Sequence, residues 1–182
     1  NDGGPSVRDL INCLNIPFPH QVIELKENRG RSETGNVGIN HANGEYIGFI
    51  DDDDLYYPFH VSTLVSKLRE SNYKLAFSDG LQATQIRCPF NDKIYTTTDL
   101  NLVLSEGFDY KDLLTRNFIP ILCAMFHRCC IDDGTRFDTN MEVLEDWDFW
   151  IRIGRKYDFL HVKEITCEYR YRKDGSNTTG QL

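Results

Sequence analysis

The 182 residues carry 20 Lys and Arg against 28 Asp and Glu, a formal net charge of −8, and 40% of them are hydrophobic. That balance disfavours general affinity for nucleic acid or anionic membrane and leaves small or neutral partners, while the size suits one α/β domain with its own core and not two. The longest apolar stretches, such as 118–126, fall far short of the ~20 residues of a membrane helix, and no secretory leader precedes Asn1. The expected location is therefore the cytoplasm, with peripheral membrane contact left open.

In chain order, residues 28–43 open rich in Gly, Asn, Ser and Arg, then set Val37, Ile39 and Ala42 on a helical register, with Gly44 as the C-terminal cap. Residues 45–50 are almost wholly apolar and read as a central parallel strand buried on both faces. Asp51, Asp52, Asp53 and Asp54 follow at its exit. Beyond Pro58, which suits a helix start, Val61, Leu64, Val65 and Leu68 recur at helical spacing as far as Glu70. A strand at 74–78 completes a strand-helix-strand unit, for which a right-handed crossover is expected.

Between 81 and 100 β-branched and polar residues alternate, interrupted by Pro89 and Asn91-Asp92, which predicts a solvent-facing hairpin. A short helix at 109–116, an apolar strand at 121–127 and a turn at 134–138 come next. A helix then runs from near Glu145 through Arg152 to Lys156, followed by strands at 159–162 and 166–171 and a loop-like tail at 175–180. Cys13, Cys88, Cys123, Cys129, Cys130 and Cys167 include no Cys-x-x-Cys, and the five histidines stand apart, so reduced, buried thiols are expected.

Two constellations bear on chemistry. Four adjacent carboxylates repel one another, and each gains from a cation that prefers hard oxygen ligands, such as Mn2+ or Mg2+. The plainer reading is a solvated acidic turn or helix cap. In open α/β sheets, however, ligands bind outside the carboxyl ends of the strands. Alternation at a strand end sends residues i and i+2 the same way, so Asp51 and Asp53 would converge on one ion while Asp52 faces elsewhere. An EF-hand is excluded because its sixth position, a glycine, is Tyr56 here. The second constellation runs from Glu145 to Arg152. Its Trp147, Phe149 and Trp150 read as a helix face packed on the sheet, and Asp148 with Arg152 as a surface pair. Acidic residues at a helix start are stabilised by the dipole, which keeps a carboxylate ionised and ready as a base. Spacing alone does not single out Glu145 or Asp146.

Four segments in order, Asn-Asp-Gly-Gly at 1–4, Asn-Arg-Gly-Arg-Ser-Glu-Thr-Gly-Asn-Val-Gly at 28–38, Ala-Asn-Gly-Glu-Tyr-Ile-Gly-Phe-Ile-Asp-Asp-Asp-Asp at 42–54 and Glu-Asp-Trp-Asp-Phe-Trp-Ile-Arg at 145–152, resemble the inverting family 2 glycosyltransferases. The resemblance implies an α/β GT-A fold, a Rossmann-like, mostly parallel central sheet flanked by helices. It implies a nucleotide-diphosphate sugar lying across the strand ends, its diphosphate bridged by Mn2+ or Mg2+. Position by position, it gives Asp51 and Asp53 the metal and diphosphate, and Asp52 the ribose or sugar hydroxyls. It gives Asp2, Arg29, Arg31 and Asn36 contact with the nucleotide or diphosphate, Asp146 the role of catalytic base, and Glu145 that of orienting the acceptor. Asp2 also reads as a turn residue in its Asn-Asp-Gly-Gly setting. Thr34 and Gly35 depart from the alanine and arginine common in the family.

The family precedes its first motif with a β-α-β unit of ~30 residues. The expectation is thus a single GT-A domain lacking that segment, within a longer protein that has further domains. The implied reaction moves a hexosyl group, with inversion and metal dependence, to a saccharide or other hydroxyl acceptor in polysaccharide, lipopolysaccharide or glycoconjugate biosynthesis. Two rivals stand beside it. One is a non-catalytic nucleotide-sugar-binding or scaffold domain. The other is a haloacid-dehalogenase-like phosphatase, which Phe49-Ile-Asp-Asp-Asp also resembles, although Leu55 stands where that motif needs Thr or Val. Acceptor specificity is expected on the loops at 81–100 and 118–138. Tyr56, Tyr57 and Phe108 read as core or rim packing rather than a stacking surface for sugar.

Overall fold

One long strand organises everything else. The structure is a computed structural model that describes residues 1–103 and 107–174, with Asp92 and Lys93 described as backbone only. In it β3 (Leu75–Cys88) starts with six consecutive buried residues, as its run Leu-Ala-Phe-Ser-Asp-Gly requires of a strand covered on both faces. From Gly80 it also pairs with β4 (Asn91–Val103) as the expected hairpin, staying buried or part buried and paired with β6 as far as Gln85 and becoming exposed at Ile86 and Arg87.

The sheet order is β1 (Tyr46–Gly48), β5 (Ala124–His127), β3, β6 (Phe159–Arg172) and β2 (Leu55–Tyr56), with β4 also on β3. Apart from an isolated parallel bridge between Asp2 and Leu25, only β3 with β6 is parallel among the pairings of these strands. The others are antiparallel, which corrects the expectation of a mostly parallel sheet. The cause is an insertion: β5 runs between β1 and β3, opposed to both. The strand-helix-strand unit of β1, α3 (His60–Arg69) and β3 is present, but its strands share a direction without sharing hydrogen bonds. For the same reason β1 is not central. It closes one end of the described order and is only part buried.

Helix α3 packs Leu64 and Leu68 against Ala76, Met125 and Val162. On the other face lie α2 (Gly30–His41), α4 (Tyr110–Leu113) and α5 (Glu145–Gly154), around a core that includes Ile39, Phe77, Phe126, Phe137, Phe149 and Trp150. Phe149 and Trp150 are 0% exposed. Trp150 Nε1 donates to Ile119 O at 3.0 Å and Trp147 Nε1 to Leu113 O at 2.5 Å, so both indoles pin the 113–119 segment to α5. The packing role expected of this aromatic set is the one observed.

Gly44 is not the left-handed cap expected of it. Helix α2 ends on an extended Ala42, and the Arg128 guanidinium donates to the carbonyls of Ala42 and Gly44, supplying the partners a capping turn would give. The strand expected at 121–127 begins as a 3-10 turn, Ile121–Cys123, closed by Cys123 N on Pro120 O at 2.9 Å. The two strands expected after 158 are one, β6. Its pairing with β3 passes from Val162 to Ile165, leaving Lys163 and Glu164 exposed in a bulge. Helix α1 (Arg8–Cys13) was not anticipated. The tail expected at 175–180 lies outside the described residues. No described helix is long and apolar enough to cross a membrane.

Candidate active site

Strand β1 stops at Gly48, and the aspartates that follow lie on a turn rather than on its extension: Asp54 N donates to Asp51 O at 3.2 Å. The turn is anchored by Tyr56, whose hydroxyl donates to Phe49 O at 2.5 Å. One carboxylate oxygen each from Asp51, Asp53 and Asp54 lie within 4.8 Å of one another. Asp51 and Asp53 thus converge as expected, but a turn does it in place of strand alternation, and it brings Asp54 with them. Asp52 points out, exposed, at the cleft edge.

Each member of the trio already has a cationic or N–H partner. Arg31 Nη2 donates to Asp51 Oδ2 at 2.9 Å, Arg172 Nη2 pairs with Asp53 Oδ2 at 2.8 Å, and Arg170 N donates to Asp54 Oδ1 at 2.9 Å. Burial, reinforced by the charges of Asp53 and Asp51, pushes the Asp54 carboxyl up to about 6. An all-carboxylate donor set of this kind fits a hard divalent cation, Mg2+ or Mn2+, and does not suit a soft one.

The facing wall is the start of α5. Leu144, at φ +61° and ψ +21°, is the non-glycine residue of positive φ among the described residues, a costly backbone state that turns the chain so that Glu145 and Asp146 head the helix. Glu145 is 4% exposed and meets Arg31 Nε at 3.2 Å. Asp146 accepts from Asn117 Nδ2 at 3.2 and 3.3 Å and from Trp147 N at 2.8 Å. Burial raises both carboxyls, opposed chiefly by Asn117 at Asp146 and, at Glu145, by its own backbone N–H and then Arg31. A carboxylate made more basic by burial is better matched to taking a proton near neutral pH.

Between the two walls opens a cleft of about 860 Å³, within the usual range for a ligand site. Arg31 crosses it, tying Asp51 to Glu145. Other expected residues fare differently. Asp2 lines the cleft, yet its two oxygens accept from Arg29 N at 2.7 Å and Gly30 N at 2.9 Å, which makes it the cap of α2. The Arg29 side chain turns to Glu27 and Glu33, 3.5 and 4.0 Å away, and Asn36 spends its amide on Phe137 O (3.0 Å) and Phe137 N (2.8 Å). The structure therefore brings neither Arg29 nor Asn36 into the cleft. Gly35 stands where a side chain would strike the Phe137 ring, 2.7 Å from a Cβ built there.

Arg152 pairs with Asp148, Tyr56 stacks on His60 at 3.8 Å, and Phe108 stacks on Phe159 at 4.2 Å, so these act in packing. Sequence reasoning placed Asp54 in the acidic run without making it a ligand, and passed over Asn117, Arg170 and Arg172. The arginines carried a signal: in Tyr169-Arg170-Tyr171-Arg172 the period of two places both on one face of a strand. Asn117 carried none.

Comparison with known proteins bears on the family and the fold. The family model described as Glycosyl transferase family 2 matches residues 6–131. A Bacillus subtilis protein, the uncharacterised glycosyltransferase YwdF, is 26% identical over 188 aligned positions, covering 100% of this chain and 65% of its own length. Among solved structures, S. aureus TarS in complex with UDP-GlcNAc superposes with a TM-score of 0.63 at 15% identity, over 95% of this chain and 47% of that one. The mannosyltransferase PcManGT of Pyrobaculum calidifontis, in complex with GDP-Man and Mn2+, does so with a TM-score of 0.56 at 18% identity, over 85% and 40%. The chain thus spans only part of the length of the relatives it matches.

Proposed function

The chain belongs to glycosyl transferase family 2 and has its GT-A fold, and from that premise we propose that it moves a hexosyl group from a nucleotide-diphosphate sugar to a hydroxyl acceptor, with inversion at the anomeric carbon. The observation that carries the reading is the facing of the Asp51–Asp54 turn by Glu145 and Asp146 across one cleft. Family membership leaves the phosphatase reading of Asp51 and Asp53 without support. The complexes of TarS with UDP-GlcNAc and of PcManGT with GDP-Man and Mn2+ support a nucleotide-sugar donor and a divalent cation here too.

In this proposal Asp51 and Asp53, joined by Asp54, hold Mg2+ or Mn2+. When bound, the ion supplies charge stabilisation for the departing nucleoside diphosphate. Arg31 and Arg172, now paired with two of those carboxylates, lie where they can turn to phosphate oxygens as bidentate donors. Asp52, exposed at the cleft edge, faces ribose or sugar hydroxyls. Asp146, fixed by Asn117, takes the proton from the acceptor hydroxyl on the opposite face of the sugar, and Glu145 holds that hydroxyl in place. The 182 residues act as one GT-A domain, and the acceptor is a saccharide or another hydroxyl compound of polysaccharide or glycoconjugate synthesis.

Calorimetry with UDP-GlcNAc and GDP-Man, each with and without Mn2+, tests the donor site. Binding that requires Mn2+ and is lost in Asp53→Asn is the expected result. Metal-independent binding, unchanged in that variant, would refute the assignment. Binding without any transfer to saccharide acceptors would favour the scaffold reading.

A further inference from the structure

Behind the cleft lies a buried polar group that the proposed reaction does not use. Cys123, at the end of the 3-10 turn 121–123, and Cys167, on β6, bring their Sγ atoms to 3.4 Å at 1% and 0% exposure. They meet over Gly80 of β3. A Cβ built there would lie 3.1 Å from Cys123 Sγ and 3.4 Å from Cys167 Sγ, so the glycine makes the notch that both sulfurs fill. Gly80 does not have a positive φ, which leaves space, and not backbone freedom, as its local role.

The surroundings distinguish the two thiols. Ser78 Oγ stands 4.0 Å from Cys167 Sγ and 2.6 Å from Thr166 Oγ1, which in turn meets His60 Nδ1 at 2.6 Å. The bond from Cys123, and after it His60, holds the Cys167 thiol below the usual range, while that same bond and burial push Cys123 up. Ser78 Oγ stands beside the sulfur of Cys167, so Cys167 is taken as the nucleophile and Cys123 as the resolving partner. Leu122 and Tyr169 pack on the pair and also line the cleft, so only the cleft floor separates the sulfurs from solvent.

We propose that Cys123 and Cys167 are a redox modification site, a reversible thiol–disulfide couple under the cleft floor that a hydroperoxide closes and a dithiol reopens. The Cys167 thiolate attacks one peroxide oxygen, the O–O bond breaks, and hydroxide leaves, giving a sulfenic acid at Cys167. Cys123 then attacks that sulfur. The S–S bond forms, the S–O bond breaks, and the second hydroxide leaves with the Cys123 proton as water. Two electrons pass from the thiol pair to the peroxide. Closing from 3.4 Å to the ~2 Å of a disulfide is a small movement. It fixes the 121–123 turn to β6, whose Tyr169, Arg170 and Arg172 form part of the cleft wall.

The test is a peptide map of the native chain after hydrogen peroxide, with N-ethylmaleimide trapping every remaining thiol. The expected result is a Cys123–Cys167 linked peptide lacking two hydrogens, an upward shift of the thermal midpoint, and loss of both after dithiothreitol. Cys167→Ser should show neither. Gly80→Ala keeps both thiols but sets a methyl between them, and should slow closure at least tenfold. Native protein in which Cys13 and Cys88 oxidise while Cys123 and Cys167 stay reduced would overturn the proposal, and so would a crosslink that forms only in urea. Because the wild-type map needs neither donor nor acceptor, its failure is separate from any failure of the transferase reading.

Discussion

Asp146 and Asp54 show how burial sets the chemistry of single residues. Asp146 has its carboxyl raised above the ordinary 3.8 by burial, so transfer should climb with pH as that proton is lost. Asp146→Asn should lower kcat by about 10²–10⁴-fold and abolish the pH inflection, while nucleotide binding persists. Retained activity in a coupled nucleotide-release assay would remove Asp146 from the role of base. Asp54 offers a stability test. Its folded pKa of about 6 exceeds the ordinary 3.8, so the folded chain holds that proton the more tightly. The resulting stabilisation is complete at low pH and is lost as pH rises from 3.8 to about 6. Without metal, the thermal midpoint of Asp54→Asn should therefore gain on that of the wild type across that window and then run parallel to it. A constant difference would show Asp54 to be unperturbed. The acidic run was conspicuous in the sequence because like charges side by side demand a partner. The convergence of Asp51 with Asp53 was legible, but that Asp54 joins them was not, since that depends on the turn closed by Asp54 N on Asp51 O. Asn36 misled for a related reason: two hydrogen bonds with the backbone of Phe137, far along the chain, consume both ends of its amide.

Among the elements, α5 carries the pair proposed as catalytic, and its aim depends on one strained residue and two indoles. Leu144→Gly should relieve the left-handed strain, about 1–2 kcal/mol, against about 0.5–1 kcal/mol of added unfolded-state entropy. The net expectation is a stability gain of about 0.5 kcal/mol with a lower kcat, because Glu145 and Asp146 lose their fixed orientation. Denaturant melts and steady-state rates on the same protein check both arms. Trp150→Ala should cost about 3–5 kcal/mol, since the side chain is fully buried and its N–H satisfies Ile119 O. Helices α3 and α5 were readable because their apolar residues keep a period near 3.6, as Leu64 and Leu68 do in α3, whereas the short α1 was missed. Strand direction was not readable. Nothing in Ala-Met-Phe-His says that β5 enters between two earlier strands and reverses the local pairing. The bulge at Lys163 and Glu164 likewise made one strand look like two.

For the molecule as a whole, the acidic trio predicts that Mn2+ or Mg2+ stabilises the folded chain by mass action. At 100 times its Kd the ion should add about 2.7 kcal/mol, raising the thermal midpoint, and Asp53→Asn should cancel the rise. An equal rise in that variant would place the ion elsewhere. The insertion of β5 also governs how this chain is made. Among the described residues Tyr46–Gly48 finds its ladder partners only at Met125–His127. During synthesis the aspartate turn emerges from the ribosome long before the strand that anchors its base. The β1–β5 ladder therefore waits until Met125–His127 is exposed, and loop closure over that distance favours slow assembly. In this view the cleft is among the last features to form: the aspartate turn closes on contacts within residues 49–56, but the wall that faces it, headed by Glu145 and Asp146, is made only after β5.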